Sequence, residues 1–157
     1  MKTQLINLIS KITLLSAMLL VTVVASVQGQ SLGYKVRANI PFDFTVGEKK
    51  LPAGEYAIGR TQPSADIALS ITDVDGRTKA IRLTNAAVTS HPKKKAYLVF
   101  HRYGDQYFLF QVWPAGGSIG RQFPVSTSER IQRESTRNSG VAQNMQCETV
   151  TIAAVLQ

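Results

Sequence analysis

The sequence predicts an all-β protein, and two observations carry this prediction. After about residue 30, apolar and polar residues alternate with a period of two through most of the chain, which is typical of strands that place one side on a core. No long segment has the three-and-four spacing of an amphipathic helix. We therefore expect a single antiparallel β-sandwich of about seven to nine strands, with an open β-barrel as the alternative fold.

Turn residues separate the alternating segments. Asp73–Gly76 has the composition of a hairpin turn, and Leu51–Gly54 has proline and glycine where a type I turn prefers them. Ser126 and Glu129 have the spacing of a capping box, which predicts a short exposed helix or loop through Arg133. Strands are expected over Tyr34–Ile40, Phe42–Val46, Glu55–Arg60, Ile67–Ile71, Thr78–Leu83, Ile119–Val125 and Thr149–Leu156, with a hairpin over Ala96–Trp113.

The hairpin over Ala96–Trp113 is expected at the centre of the core, because both of its faces are largely apolar. A three-residue loop over Tyr103–Asp105 sets Leu98 opposite Phe110, whereas a two-residue loop sets Leu98 opposite Gln111. A slip by one residue sends an apolar set to the wrong face. The three-residue loop is therefore predicted.

The start of the chain is typical of a secretory signal peptide. Lys2 and Lys11 precede an apolar run of fourteen residues that ends at Ala25, and small and polar residues follow through Gly29. A membrane-spanning helix needs about 20 apolar residues, so a cleaved signal is expected rather than an anchor. Cleavage is placed after Gly29, with a cut after Ala25 as the alternative.

These observations divide the chain into a signal peptide over 1–29 and a single β-rich domain over 30–157. The protein is expected in the periplasm or outside the cell, with no transmembrane segment once the signal is removed. The lone Cys147 excludes an intramolecular disulfide, and we expect it to be a small buried hydrophobe. Stability must then come from the core, which a chain of this length can build without a metal.

The mature chain is moderately basic. The signal contains two of the 18 Lys and Arg residues, which leaves 16 against 10 acidic residues, a balance of +6. Such a surface attracts anionic polymers or lipids, or simply keeps the protein soluble. Nucleic acid is not expected as a partner, because an exported protein meets little of it.

Two segments and the hairpin resemble a known family. Ile40–Val46 (IPFDFTV) and Leu51–Tyr56 (LPAGEY), together with Leu98–Trp113, resemble an uncharacterised family of small exported bacterial β-rich proteins over most of the mature chain. The resemblance implies an envelope or secreted β-protein and no particular activity. More distantly, the Leu51–Tyr56 turn is similar to the entry to the last strand of transthyretin-like, prealbumin-type β-sandwich modules.

The residues that catalysis and metal binding need are sparse. His91 and His101 are the only histidines, and neither lies in a nucleophile motif, so a hydrolase built on His101, Asp105 and a serine is a minor alternative. Asp73–Gly76 begins like a calcium loop but lacks the later ligands, and a turn explains it. We therefore predict no catalytic residue, no metal site and no cofactor.

Binding is the function that these residues favour. Arg102, Tyr103, Tyr107 and Trp113 lie along or beside the hairpin, where aromatic rings near an arginine can hold a sugar or a partner segment, or can fill the core. We expect a non-catalytic exported module that binds a protein partner or a glycan. The alternatives are a small secreted hydrolase and a structural subunit that self-associates through sheet edges.

Overall fold

The structure is a computed structural model that describes residues 35–62, 67–138 and 147–157. The predicted signal peptide over 1–29 and Tyr34 lie outside the described residues. The described chain is mostly β, with 58% of it in strands and one short helix. The strands are β1 (Lys35–Ile40), β2 (Phe44–Val46), β3 (Lys49–Leu51), β4 (Gly54–Arg60), β5 (Ala68–Asp73), β6 (Thr78–Leu83), β7 (Asn85–Val88), β8 (Ala96–Tyr103), β9 (Gln106–Trp113), β10 (Ile119–Gln122) and β11 (Glu148–Leu156), and the helix is α1 (Thr127–Asn138).

All these strands belong to one hydrogen-bonded network. Its main path runs β3-β2-β9-β8-β11-β1-β4-β5-β6, and β10 joins β9 to β7 beside this path. Every pairing is antiparallel except that of β2 with β9. The all-β class predicted from the alternation is confirmed. The described residues hold eleven strands rather than seven to nine, in part because β7 formed in a stretch where no strand was predicted.

The two end strands of the path, β3 and β6, come close to each other, so the sheet is nearly closed on itself. Lys49 Nζ of β3 donates a hydrogen bond to the Lys79 carbonyl of β6 at 2.6 Å. Gly47, between β2 and β3, has φ +63° and lies against the Arg82 side chain of β6, where a Cβ would clash. Glycine therefore serves both the left-handed turn and the close approach.

The core lies inside this curved sheet. Most strands contribute to it; in β1, for example, Val36, Ala38 and Ile40 are buried while the residues between them are exposed. Phe44 and Phe100 are the largest fully buried side chains, and their rings meet edge to face at 5.6 Å. Burial of these aliphatic and aromatic side chains is the main stabilising contribution in the described chain.

The hairpin register differs from the predicted one. Tyr103 pairs with Gln106, so the loop has two residues, and Gly104 adopts φ +60° there. A register shift between Val99 and Phe100 then leaves Phe110 as an extra residue in β9. This bulge sets Leu98 opposite Val112, both fully buried, and so keeps the apolar residues on the core side. The prediction of a three-residue loop was wrong, because a two-residue loop followed by a bulge also keeps the apolar residues on the core side.

Helix α1 packs beside the outer face of β8. Ser126 caps it as predicted, since Ser126 Oγ accepts a hydrogen bond from the Glu129 N–H at 3.1 Å. A second cap comes from Glu48, between β2 and β3, whose carboxylate accepts hydrogen bonds from the Thr127 and Ser128 N–H groups at 2.7 and 3.2 Å. The helix continues beyond the predicted end to Asn138.

Candidate functional site

The structure separates the four predicted site residues. Arg102 and Tyr107 pair with each other across β8 and β9, on the face that contains the main core. Tyr103 and Trp113 lie on the opposite face, near opposite ends of the hairpin. Because neighbouring residues of a strand point to opposite faces, no single surface contains all four.

Arg102 and Tyr107 lie at the turn end of the hairpin, and both are engaged. Arg102 donates to the Gly104 carbonyl at 2.8 Å and to Glu148 Oε2 at 3.1 Å, and its guanidinium lies 5.5 Å from the centre of the Tyr107 ring. The Tyr107 ring stacks on Phe42 at 3.8 Å. A polar cavity of about 220 Å³ adjoins it, lined by Asp43, Thr45, Lys50, Asp105, Gln106 and Tyr107.

Trp113 belongs to a small second core on the outer face of the hairpin. Only 6% of its surface is exposed, and its ring stacks near Tyr97 at 6.2 Å. Lys93 Nζ lies 5.4 Å from the centre of the Trp113 ring, and the indole N–H donates to Gln111 at 3.0 Å. Gly120 lies so close to the ring that a Cβ would clash with it. The indole is thus covered by the protein itself.

Tyr103 is part of a polar cluster that the sequence analysis missed. His101 Nδ1 lies 2.6 Å from Glu129 Oε1, and the Tyr103 hydroxyl donates to the same oxygen at 3.4 Å. Glu129 is buried with 4% of its surface exposed, and the His101 ring stacks on Phe110 at 3.8 Å. The sequence indicated a role for Glu129 only through its capping-box spacing from Ser126. Its burial was not visible in the sequence, because its partners come from a strand 26 to 28 residues away.

Burial raises the pKa of the Tyr103 phenol, and hydrogen bonding and charge at Cys147 and Glu129 raise it further. The β8–β11 pairing sets Glu148 opposite Arg102, so Cys147, one residue earlier, falls beside Tyr103. Cys147 is exposed, which corrects the expectation that it is a buried hydrophobe. It directly precedes the first residue of β11 and so lies outside the paired strand.

This cluster holds part of what a hydrolase needs. The carboxylate that orients His101 is Glu129 and not Asp105, which lies exposed beside the turn. Within the described residues, His101 Nε2 has no serine or cysteine partner at hydrogen-bond distance, and no group of three or more His, Cys, Asp or Glu side chains is placed to hold a metal ion. The geometry fits a buried pair that fastens α1 to β8.

The largest apolar side chains left uncovered lie outside the hairpin. Ile81 and Leu83 of β6 are 53% and 64% exposed, and they are two residues apart on one face of the strand. Their neighbours across β5 are Ser70 and Ala68, which are too small to cover them. Ile67, just before β5, is 57% exposed. Together Ile81 and Leu83 form what we term the β6 patch.

Comparisons with protein-family models, with curated proteins and with solved structures gave no match. Within the described ranges, no helix has the length and apolar character that crossing a bilayer requires.

Proposed function

We propose that this protein is an exported, non-catalytic β-sandwich module that binds a partner protein in the cell envelope or outside the cell, with the β6 patch as its contact surface. In the sandwich description, β11 is shared by the two layers, because it pairs with β8 along its length and with β1 only near its end. The signal-like first 29 residues and the family resemblance support export.

The exposure of Ile81 and Leu83 is the observation that carries the proposal. Single exposed apolar residues are common on protein surfaces, but neighbouring ones on the face of an end strand are typical of interaction surfaces. Covering each of these side chains would stabilise a complex by about 1–2 kcal/mol, since full burial of such a residue contributes about 1.5–3 kcal/mol.

The outer backbone edge of β6 is protected by side chains. Thr84 donates to the Ile67 carbonyl at 2.7 Å, so even-numbered residues here bond towards β5. The carbonyls of Lys79 and Ile81 therefore point away from β5, and they accept from the Lys49 ammonium and the Arg82 guanidinium. These long side chains protect the edge from aggregation.

A protein partner is favoured over a glycan by the state of the aromatic residues. A sugar needs an uncovered ring to stack on. Trp113 and Tyr103 are 6% and 4% exposed, and the partly exposed Tyr107 ring already stacks on Phe42. The β6 patch, in contrast, has no described covering.

Site-specific photo-crosslinking tests the proposal. A photoreactive amino acid at position 83 should give one discrete adduct with another protein in cells that export this chain, and Ile81→Asp should remove that adduct. The same probe at position 74, where Val74 is 68% exposed in the turn after β5, is the matched control and should give none. Equal adducts from both positions, or none from position 83, would contradict the proposal.

Two outcomes would favour the alternative functions. An adduct between two copies of this chain, with a light-scattering mass that rises with concentration, would indicate the self-associating subunit. Hydrolase activity that His101→Ala abolishes would indicate the enzyme instead.

A further inference from the structure

The exposed side of helix α1 has a row of three arginines that no other contact explains. Arg130, Arg133 and Arg137 are all exposed. Their spacing of three and four residues places them along one side of the helix. The helix rises about 1.5 Å per residue, so the row extends over roughly 10 Å.

Within the part of the chain that the structure describes, these arginines have no carboxylate partner. The ion pairs there involve other cations, and Glu134, four residues after Arg130 and three before Arg137, makes no ion pair with either. Like charges at this spacing repel one another. Arg130 also lies near the positive end of the helix dipole, where a cation is unfavourable.

The row lies beside the contacts that hold α1, because Glu129 is one helical turn before Arg133. Glu129 is held by His101 at 2.6 Å, and the first turn is held by the Glu48 carboxylate and by the Ser128 hydroxyl, which donates to the Gly47 carbonyl at 3.2 Å. The arginines are thus presented on a helix whose orientation is set by buried and capping contacts. Regularly spaced, preoriented cations suit a regular linear anion.

We propose that the arginine row of α1 is a docking surface for a linear anionic polysaccharide. Guanidinium groups bind carboxylate and sulfate in a planar, two-bond geometry that lysine cannot match. The remaining positive balance of the mature chain adds long-range attraction for the polymer. The proposed polysaccharide surface is on α1 and the proposed protein surface is on β6, so each has its own variants.

A polysaccharide fits the helix better than a bilayer does. A helix that lies in a membrane surface needs a continuous apolar face. In α1 the exposed side has one large apolar residue, Ile131, and the other side is occupied by contacts to the sheet. A single-stranded nucleic acid is bound mainly on exposed aromatic rings, and α1 contains no aromatic residue.

Binding to defined polymers tests this proposal with the exported full-length protein. Dextran sulfate and polygalacturonate should bind, neutral dextran should not, and the dissociation constant should rise steeply with NaCl. Replacing the three arginines together, Arg130→Gln, Arg133→Gln and Arg137→Gln, should weaken binding at least tenfold at low salt. The salt slope should fall by about one for each arginine, as for other polyanion contacts.

A control of equal charge separates the row from net charge. Lys35, Lys94 and Lys95 are exposed and lie outside α1, and replacing all three by Gln should weaken binding less than threefold. The helical circular dichroism of both triple variants should match that of the native protein.

Three results would overturn the proposal: equal losses in the two triple variants, no loss in the arginine variant, or tighter binding to phosphatidylglycerol vesicles or to an oligonucleotide than to either polysaccharide. The β6 crosslinking result is independent of all three, so the two proposals can fail separately.

Discussion

Strands β8 and β9 are covered on both faces, whereas β6 is covered on only one. Leu98 and Phe100 face the main core of the protein, and Val99 and Trp113 face the second core on the other side of the hairpin. On β6, Ala80 is buried while Ile81 and Leu83 are mostly exposed. The comparison teaches that the most aromatic part of the chain is used for stability, and that exposed apolar side chains lie on other elements, among them β6.

The largest expected contrast is between a core position and the β6 patch. Phe100→Ala should lower the free energy of unfolding by about 3–5 kcal/mol, because it removes a fully buried ring and leaves a cavity. Leu83→Ala should change it by less than about 0.5 kcal/mol. Urea unfolding of both variants measures the difference. Equal losses of unfolding free energy would contradict the claim that the hairpin is covered on both faces and β6 on only one.

Breaking the polar cluster of His101, Tyr103 and Glu129 should give the next largest loss of stability. Glu129→Ala should destabilise by about 1–3 kcal/mol, since it leaves His101 Nδ1 and the Tyr103 hydroxyl without their shared partner. A double-mutant cycle with His101→Ala should give a coupling energy of about 1–3 kcal/mol.

The exposed pair Arg102–Glu148 is the matched control for that cycle, because its side chains are 37% and 61% exposed. Its coupling energy should be at most about 1 kcal/mol. Similar coupling energies in the two cycles would mean that the burial of Glu129 contributes nothing.

A substitution at Gly120 tests how tightly the second core is packed. A Cβ at Gly120 would lie 2.6 Å from the Trp113 ring and 2.9 Å from the Val112 carbonyl, so Gly120→Ala should destabilise by about 1–3 kcal/mol. At Gly117 the nearest atoms to an added Cβ lie 3.7 Å away, and Gly117→Ala should be close to neutral. Thermal unfolding and the near-ultraviolet signal of the tryptophan report the change; a silent Gly120→Ala would show that Trp113 is loosely held.

The smallest effect is expected at Glu48, and it should depend on pH. The hydrogen bond from Ser128, with those from the Thr127 and Ser128 N–H groups, lowers the pKa of the Glu48 carboxyl below its ordinary value of 4.5. The charged form is therefore favoured by folding. Its stabilisation is complete above the unfolded pKa and is lost as the pH falls through the lower folded pKa.

Glu48→Gln should consequently lower the Tm at pH 7 by less than Gly120→Ala does, and the difference from the native protein should shrink below about pH 4. Glu134→Gln, at an exposed helix position with no ion pair, should show no such pH dependence. If the difference in Tm between Glu48→Gln and the native protein stays constant with pH, the capping role of the carboxylate is contradicted.

The sequence by itself determined most of the strands and the Ser126 cap, because these depend on neighbours along the chain. Alternation predicted β6 over Thr78–Leu83, with the bounds that the structure has, and spacing predicted Ser126 as the cap of α1. The same local information predicted the hairpin but not its bulge at Phe110, because a bulge and a longer loop place apolar residues on the core equally well.

Only the tertiary structure decided which residues meet across the sheet. It buried Glu129 against His101, covered Trp113 with Tyr97 and Lys93, and left Ile81 and Leu83 without a covering layer. Alternation tells which side of a strand is apolar but not what packs against that side. That depends on contacts between distant segments, and those contacts decide whether an apolar or charged side chain stabilises the fold or remains available to a partner.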